Sequence, residues 1–163
     1  MLKLQKKSMI MLMTMVSLTS SVFAAGVNNT VDPAAAAVGA ESFGNHNTIS
    51  STATSAFAIG YKNTVEGQNG FAVGKGANAR GRNSLAFGAT AEAITDNTFA
   101  IGSQARTNGI NTIAIGNGSY AEAEGAVAQG SSTQVKIKDG VAIGSHSKVM
   151  TEAVSTTTIK SDS

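Results

Sequence analysis

The chain has 163 residues, including 18 glycines and no cysteine, and only 5% of it is aromatic. The lack of cysteine excludes disulfides, thiolate metal sites and cysteine nucleophiles. Much of the apolar fraction of 42% is alanine, so we expect a thin core with close backbone approach and no thick layered core.

Residues 1–24 have the pattern of a cleaved secretory signal peptide. Three lysines precede an apolar run from about Met9 to Leu18, and small residues follow. Val22 and Ala24 fit the −3 and −1 positions of a cleavage site, so cleavage is expected after Ala24. A retained signal anchor is the alternative, although the run is short for a membrane span. Cleavage changes the formal net charge from +2 to −1, which removes any charge argument for nucleic-acid binding.

Residues 25–54 are predicted to form an irregular leader. The segment is rich in Ala, Asn, Ser and Thr and contains the single proline, Pro33. A degenerate repeat at Phe43–Ser50 could cap the region that follows. Some cap is expected, because an uncovered terminal strand exposes unpaired backbone groups.

Seven 14-residue blocks cover residues 55–152 without insertion or deletion. The second block, NGFAVGKGANARGR, is typical. Two columns of the alignment are invariant, one of alanine and one of glycine. Their members are Ala58, Ala72, Ala86, Ala100, Ala114, Ala128, Ala142, Gly60, Gly74, Gly88, Gly102, Gly116, Gly130 and Gly144.

Each block predicts two short strands and two turns. Bulky residues alternate with the invariant alanine, a period of two that indicates a strand. The invariant glycine ends this strand, where positive φ or a close approach is needed. A shorter alternation of small residues follows, and Asn or Asp begins five blocks, as suits a turn. Since one block cannot pair its own strands, the blocks must stack as a β-solenoid, roughly 34 Å long for seven coils at about 4.8 Å each.

The bulky residues are expected to form the ladder inside this solenoid. Gln129 interrupts that ladder and is expected to mark a weakened coil. The alanines would then point outward, and we expect an oligomer in which Ala–Gly faces pack together; local steric restriction beside the glycine is the alternative. The bulky columns are Phe57, Phe71, Leu85, Phe99, Ile113, Val127 and Val141, and Ile59, Val73, Phe87, Ile101, Ile115 and Ile143.

The blocks resemble the head repeat of trimeric autotransporter adhesins, the YadA-like head family. The family pattern, N-S-x-A-I-G followed by alternating small residues, is seen in NSLAFGATAEA, NTFAIGSQARTNG and NTIAIGNGSYAEA. The resemblance implies an all-β, left-handed parallel β-roll assembled as a homotrimer. It also implies display on the outer membrane of a Gram-negative bacterium and adhesion to matrix proteins, host cells or like cells.

The sequence departs from the family architecture after the last block. A family member continues into a neck, a heptad stalk and a membrane-anchor barrel, whereas residues 153–163 form a short polar tail with neither heptads nor alternating membrane strands. No membrane-spanning segment is predicted in the mature chain. A secreted or periplasmic location and a truncated, non-anchored fragment therefore remain open. A structural rod or spacer that binds no ligand is the alternative function.

No catalytic, cofactor or metal site is predicted. The two histidines, His46 and His146, lie far apart in the chain, and the acids are scattered. Gly-x-Gly-x-x-Ala at Gly74 has the spacing of a dinucleotide loop. The same spacing recurs in phase in another block and opens no helix, so we interpret it as a turn.

The residues that contact an adhesion ligand cannot be assigned from the sequence. Arg80 and Arg82 are outward-facing candidates. Lys136 and Lys138 alternate on one strand and could attract an acidic ligand, although a solvated face is the simpler interpretation. The pair of acids at Glu122 and Glu124 alternates in the same way and has no evident partner group.

Overall fold

The computed structural model describes residues 24–36 and 39–150, which form a parallel β-solenoid of nine turns with one four-residue helix, α1 (Pro33–Ala36). The odd-numbered strands form the first sheet: β1 (Ala24–Ala25), β3 (Glu41–Asn45), β5 (Phe57–Tyr61), β7 (Phe71–Lys75), β9 (Leu85–Phe87), β11 (Phe99–Ile101), β13 (Ile113–Ile115), β15 (Val127–Gln129) and β17 (Val141–Ile143). The even-numbered strands form the second sheet: β2 (Thr30–Val31), β4 (Thr48–Ile49), β6 (Thr64–Val65), β8 (Asn78–Ala79), β10 (Glu92–Ala93), β12 (Arg106–Thr107), β14 (Tyr120–Ala121), β16 (Gln134–Val135) and β18 (Lys148–Val149).

Neighbouring turns pair in a constant register through the repeats. Phe57 lies beside Phe71 and Ala58 beside Ala72, in each case one block further along the chain. The ladder continues outside the strands, where for example the backbone N–H of Asn83 donates to the carbonyl of Gln68 at 2.9 Å. Each turn thus completes the backbone hydrogen bonds of the turn before it, as the period of the blocks predicts. The all-β, parallel solenoid class is confirmed.

The roll is two turns longer than the seven blocks predict. Strands β1 and β2 form the first turn, and β3 and β4 form the second. Ala24 pairs with Ser42 and Glu41 pairs with Phe57, so both of these turns are longer than the blocks that follow. A search for one strict period does not detect longer turns, which is why this segment was predicted to be an irregular leader. In the structure it contributes four strands. Nine turns give a length of roughly 43 Å at about 4.8 Å per turn.

The signal peptide and the tail fall mainly outside the described residues. The predicted signal peptide consists of residues 1–23, which the structure does not describe, and Ala24, which lies in β1. Residues 151–163 are not described either. Cleavage after Ala24 would leave Ala25 in β1.

Alanine lines the interior of the roll, so the predicted orientation of the first sheet is wrong. The seven invariant alanines are 0–4% exposed, whereas Phe87 is 51% exposed and Ile143 is 67% exposed. Small residues of the second sheet, such as Ala79 and Ala93, face the alanines from the other side and are also buried. A short turn that contains two strands and two bends leaves little width inside: the second sheet buries Ile49, Val65 and Val135, and the invariant column opposite them is alanine.

Two further expectations fail for the same reason. The alanines Ala58, Ala72, Ala86, Ala100, Ala114, Ala128 and Ala142 cannot form an outward Ala–Gly face, because they are buried within their own chain. Gln129 stands on the exposed side of β15 and not in the core. Its polar side chain therefore leaves the interior ladder intact and instead interrupts an outward column.

The invariant glycines end the strands of the first sheet in a conformation that other residues rarely adopt. Their φ angles lie between +105° and +144°. At Gly88, a Cβ atom would overlap the carbonyl oxygen of Gly102 in the next turn. The column therefore needs glycine both for backbone conformation and for the close approach of successive turns.

Buried asparagines complete the hydrogen bonding of the first turns. The Nδ2 of Asn63 donates to the carbonyls of Ile59 at 2.8 Å and Gly74 at 3.1 Å. Its Oδ1 accepts from the backbone N–H of Ala77 at 2.8 Å. Asn47 occupies the equivalent position one turn earlier, and both side chains are fully buried. Since these polar groups are partnered, hydrogen bonds compensate the cost of burying the two amides.

Candidate functional site

A strip of apolar side chains lies on the outside of the first sheet. We define the apolar face as the two outward columns that flank the alanines. Its exposed members include Phe71 at 38%, Phe99 at 44% and Val141 at 55%. The rings of Phe57 and Phe71 stack with their centroids 5.0 Å apart. The sequence identified the bulky members of these columns within the seven blocks but placed them on the inner side; Glu41 and Phe43 extend the columns into the second turn.

The outer side of the second sheet has a different chemistry. One of its columns runs through Glu92, Arg106, Tyr120, Gln134 and Lys148 in consecutive turns. The outer side of the first sheet is therefore apolar, whereas the outer side of the second sheet is polar and charged. A contiguous exposed apolar strip of this kind is typical of an interaction surface.

Ion pairs link successive turns on the rest of the surface. Five pairs occur in the described part of the chain, and the two partners always stand one block apart. They are Glu66–Arg80 (3.7 Å), Arg82–Asp96 (2.6 Å), Glu92–Arg106 (3.1 Å), Glu122–Lys136 (3.7 Å) and Glu124–Lys138 (3.2 Å).

These pairs change the interpretation of the charged candidates. Glu122 and Glu124 do have partner groups, contrary to the expectation, and the partners are Lys136 and Lys138. All four charges are therefore compensated within the chain, which removes the argument that the two lysines attract an acidic ligand. The spacing of one block between the charges was the sequence signal for these contacts.

Arg80 and Arg82 lie on the surface as expected, and both are ion-paired. Arg82 makes the stronger pair: its Nε and Nη2 donate to Oδ2 of Asp96 at 2.8 and 2.6 Å, and its backbone N–H donates to Oδ1 at 2.8 Å. The side-chain hydrogen bonds from Arg82, followed by its backbone hydrogen bond, lower the pKa of Asp96. The side-chain contacts with Asp96 raise the pKa of Arg82.

The Arg82–Asp96 pair predicts a small pH-dependent contribution to stability. The pKa of Asp96 is lower in the folded chain than in the unfolded chain, where it is about 3.9. The contribution is therefore complete above about pH 4 to 5 and is lost as the pH falls through the folded-state pKa. Asp96→Asn should lower the thermal midpoint slightly at neutral pH, and the difference from wild type should vanish in acid. If Asp96→Asn has the same effect in an Arg82→Gln background, the pair is not its cause.

A polar groove runs beside this pair along the start of the blocks. Its volume is about 250 Å³, and it is lined by Gln68, Asn69, Arg82, Asn83, Asp96 and Asn97. The Nδ2 of Asn69 donates to Oδ1 of Asn83 at 2.9 Å, and Asn83 donates in the same way to Asn97 at 3.0 Å. The asparagines that begin the blocks thus form a ladder, with φ between +52° and +57°.

Histidines and helices are sparse in the described part of the chain. His46 lies in the second turn and His146 in the ninth. Within residues 24–36 and 39–150, no three His, Cys, Asp or Glu side chains cluster as metal ligands. No helix in those same ranges is long and apolar enough to cross a bilayer.

The geometry defines the class of protein as a solenoid repeat protein, in which parallel turns contact only their neighbours. The family model of the YadA head domain repeat (2 copies) matches residues 51–77, 79–105, 96–119, 108–133 and 121–147. The matches cover more than half of the sequence, and the chain belongs to the YadA head family. Membership indicates an adhesin-type head domain. A search of curated proteins finds no match.

Proposed function

We propose that the chain is the head of a surface-displayed bacterial adhesin and that it acts as a homotrimer. The observation that carries this proposal is the apolar face, together with the match to the adhesin head repeat. Phe87, Phe99 and Ile143 are 51%, 44% and 67% exposed in the single chain. Fully burying a large apolar side chain contributes roughly 1.5–3 kcal/mol, and because these side chains are already about half covered, each would add about half of that on association.

A closed trimer of parallel rods suits the shape of the strip. Closed cyclic symmetry leaves no unsatisfied copy of an interface, whereas open packing leads to fibres. With three rods side by side in the same direction, identical turns lie at the same height. The outward side chains of one turn then form a layer with their equivalents in the other two chains. The layer at Gln129 would be polar, and so would the layer at Glu41, which lies beside Phe57 in the first sheet.

The remaining surface is available for adhesion. Its outward residues vary from turn to turn, as at Tyr61–Lys62, Ser103–Gln104 and Asn117–Gly118. Such variation suits binding to matrix proteins, host cells or like cells through shallow, repeated surfaces and suits no catalytic centre. Export by the predicted signal peptide, with cleavage after Ala24, would carry the head across the cytoplasmic membrane, the first step towards the cell surface.

The experiment uses the mature chain, residues 25–163. Light scattering after size exclusion first gives the oligomeric state, and the trimer is then tested on immobilised matrix proteins and on cells. Saturable binding by the trimer supports the adhesin. A confirmed trimer that binds neither matrix proteins nor cells and does not self-associate would instead be a structural rod or spacer. A monomer at micromolar concentration would contradict the proposed assembly.

A further inference from the structure

One edge of the roll has no acidic residue. We define the acid-free edge as the two positions that follow the turn glycine in each of the nine turns, from Val27–Asn28 in the first to Ser145–His146 in the ninth. These positions hold two lysines, two histidines and no Asp or Glu. All the described acids therefore lie on other parts of the surface, mostly in the ion pairs above.

The two lysines of this edge differ from most cations of the roll. Of the eight Lys and Arg residues in the described ranges, five are ion-paired within the chain. The three without an ion pair among described residues are Lys62, Lys75 and Lys148. Lys62 and Lys75 lie on the edge in consecutive turns, whereas Lys148 lies on the second sheet. Positive charge is thus uncompensated at one place on the acid-free edge.

Aromatic contacts fix the arrangement of this cationic patch, which we define as His46, Tyr61, Lys62 and Lys75. The Nζ of Lys62 lies 5.3 Å from the centre of the Tyr61 ring. The ring of His46, one turn earlier, meets the same ring edge-on at 5.4 Å. Lys75 is the register partner of Tyr61 one turn later. A cation–π contact positions an ammonium group without neutralising it, and all four side chains are exposed.

We propose that the cationic patch binds a linear sulfated polysaccharide that lies along the acid-free edge. The two ammonium groups stand on turns about 4.8 Å apart and complement sulfate groups on a chain that runs parallel to the roll. Further along the edge, Thr90, Gln104 and Asn117 offer hydroxyl and amide groups to sugar hydroxyls. No carboxylate repels the polymer along the remaining turns of this edge.

Other polyanions fit the edge less well. A single-stranded nucleic acid would need aromatic platforms for its bases and more cations for its phosphates, and Tyr61 is the only Phe, Tyr or Trp on the edge. An acidic protein partner would need apolar or aromatic anchors at the centre of its interface. Apart from Val27, Tyr61 and Ala89, the edge presents glycine, polar and basic residues.

The inference deepens the proposed function, on which it rests for an extracellular ligand. The test measures binding of the mature chain to immobilised heparin at low and moderate salt, with desulfated heparin as the matched surface. Lys62→Glu and Lys75→Glu each replace a cation with an anion beside the polyanion and should each weaken binding at least about tenfold, since one cation alone contributes about 1 kcal/mol. Lys148→Glu makes the same charge change away from the edge and should leave binding within about twofold. Unchanged thermal unfolding shows that each variant is folded.

The remaining outcomes decide between the inference and its rivals. An equal loss in Lys148→Glu, or equal binding to desulfated heparin, overturns it, as does the absence of wild-type binding at low salt. Competition by polyglutamate or by single-stranded DNA as strong as that by free heparin would also overturn it. Cell adhesion, measured in parallel, separates the two proposals: adhesion that survives Lys62→Glu and Lys75→Glu contradicts the polysaccharide ligand and leaves the adhesin intact.

Discussion

Replacing Phe87 by lysine is expected to turn a trimer into a folded monomer. The Phe87 side chain is 51% exposed in the single chain, so its loss should change the stability of the chain by less than about 1 kcal/mol. In a symmetric trimer, the variant places three ammonium groups in one apolar layer, where burying an unpaired charge is costly. The dissociation constant should rise at least about a hundredfold, the equivalent of about 2.7 kcal/mol. Light scattering and circular dichroism measure mass and fold.

The control is Gln134→Lys on the outer side of the second sheet. The same column carries Arg106 and Lys148 in other turns, so the roll accepts a long cation there. This variant should retain the wild-type mass. A Phe87→Lys variant that stays trimeric, or a Gln134→Lys variant that dissociates, would show that the interface is not the apolar face.

The second large effect is expected for Gly88→Ala. The residue has φ +138°, and a Cβ atom there would overlap the carbonyl oxygen of Gly102. Relief of that overlap requires two turns to separate, which breaks ladder hydrogen bonds in both sheets. We expect a loss of at least about 3 kcal/mol in the free energy of unfolding, in the range reserved for strained or overpacked backbone sites. Denaturant-induced unfolding followed by circular dichroism measures it.

Gly118→Asn is the matched control for the glycine column. Gly118 has φ +62°, and the nearest atom to its Cβ position is the Ser132 hydroxyl oxygen at 3.9 Å. Gln104, one turn earlier at the same position, has φ +59°, so the fold accepts a side chain there. The change should cost less than about 1 kcal/mol. Equal destabilisation by the two variants would show that any loss of glycine, and not the overlap, weakens the roll.

The sequence predicted the period, the strand order and the pairing of identical columns, because these follow from repeated residues at a constant spacing. It did not predict which side of the first sheet faces inward. Alternation shows that Ala58 and Phe57 point to opposite sides of the strand. The general rule that bulky residues face the interior then gave the wrong side. The inner width of a closed turn of this length decides which side of the first sheet faces inward. Beside that sheet there is room for Ala100 but not for Phe99.

The charged surface was predictable in part. Glu122 and Lys136 are one block apart, so the same column arithmetic that aligned the alanines also places these charges together. The first turn could not be found in this way, and the second was visible only as a degenerate repeat at Phe43–Ser50, because their connections are longer and shift the register of residues 24–49. The cationic patch at Tyr61 and Lys62 depends on side-chain geometry across turns of different length, which no column in a strict repeat displays.

The connectivity of the roll also determines how it would respond to mechanical load. Hydrogen bonds between turns run along the long axis, and each turn is bonded only to the turns before and after it. A pull on the two ends of the chain would therefore detach a terminal turn without disturbing the others. Each event would release one block, roughly 45–50 Å of extended chain. In an adhesin head of the kind proposed, tension from a cell in flowing liquid would be absorbed in small steps while most of the rod stays folded.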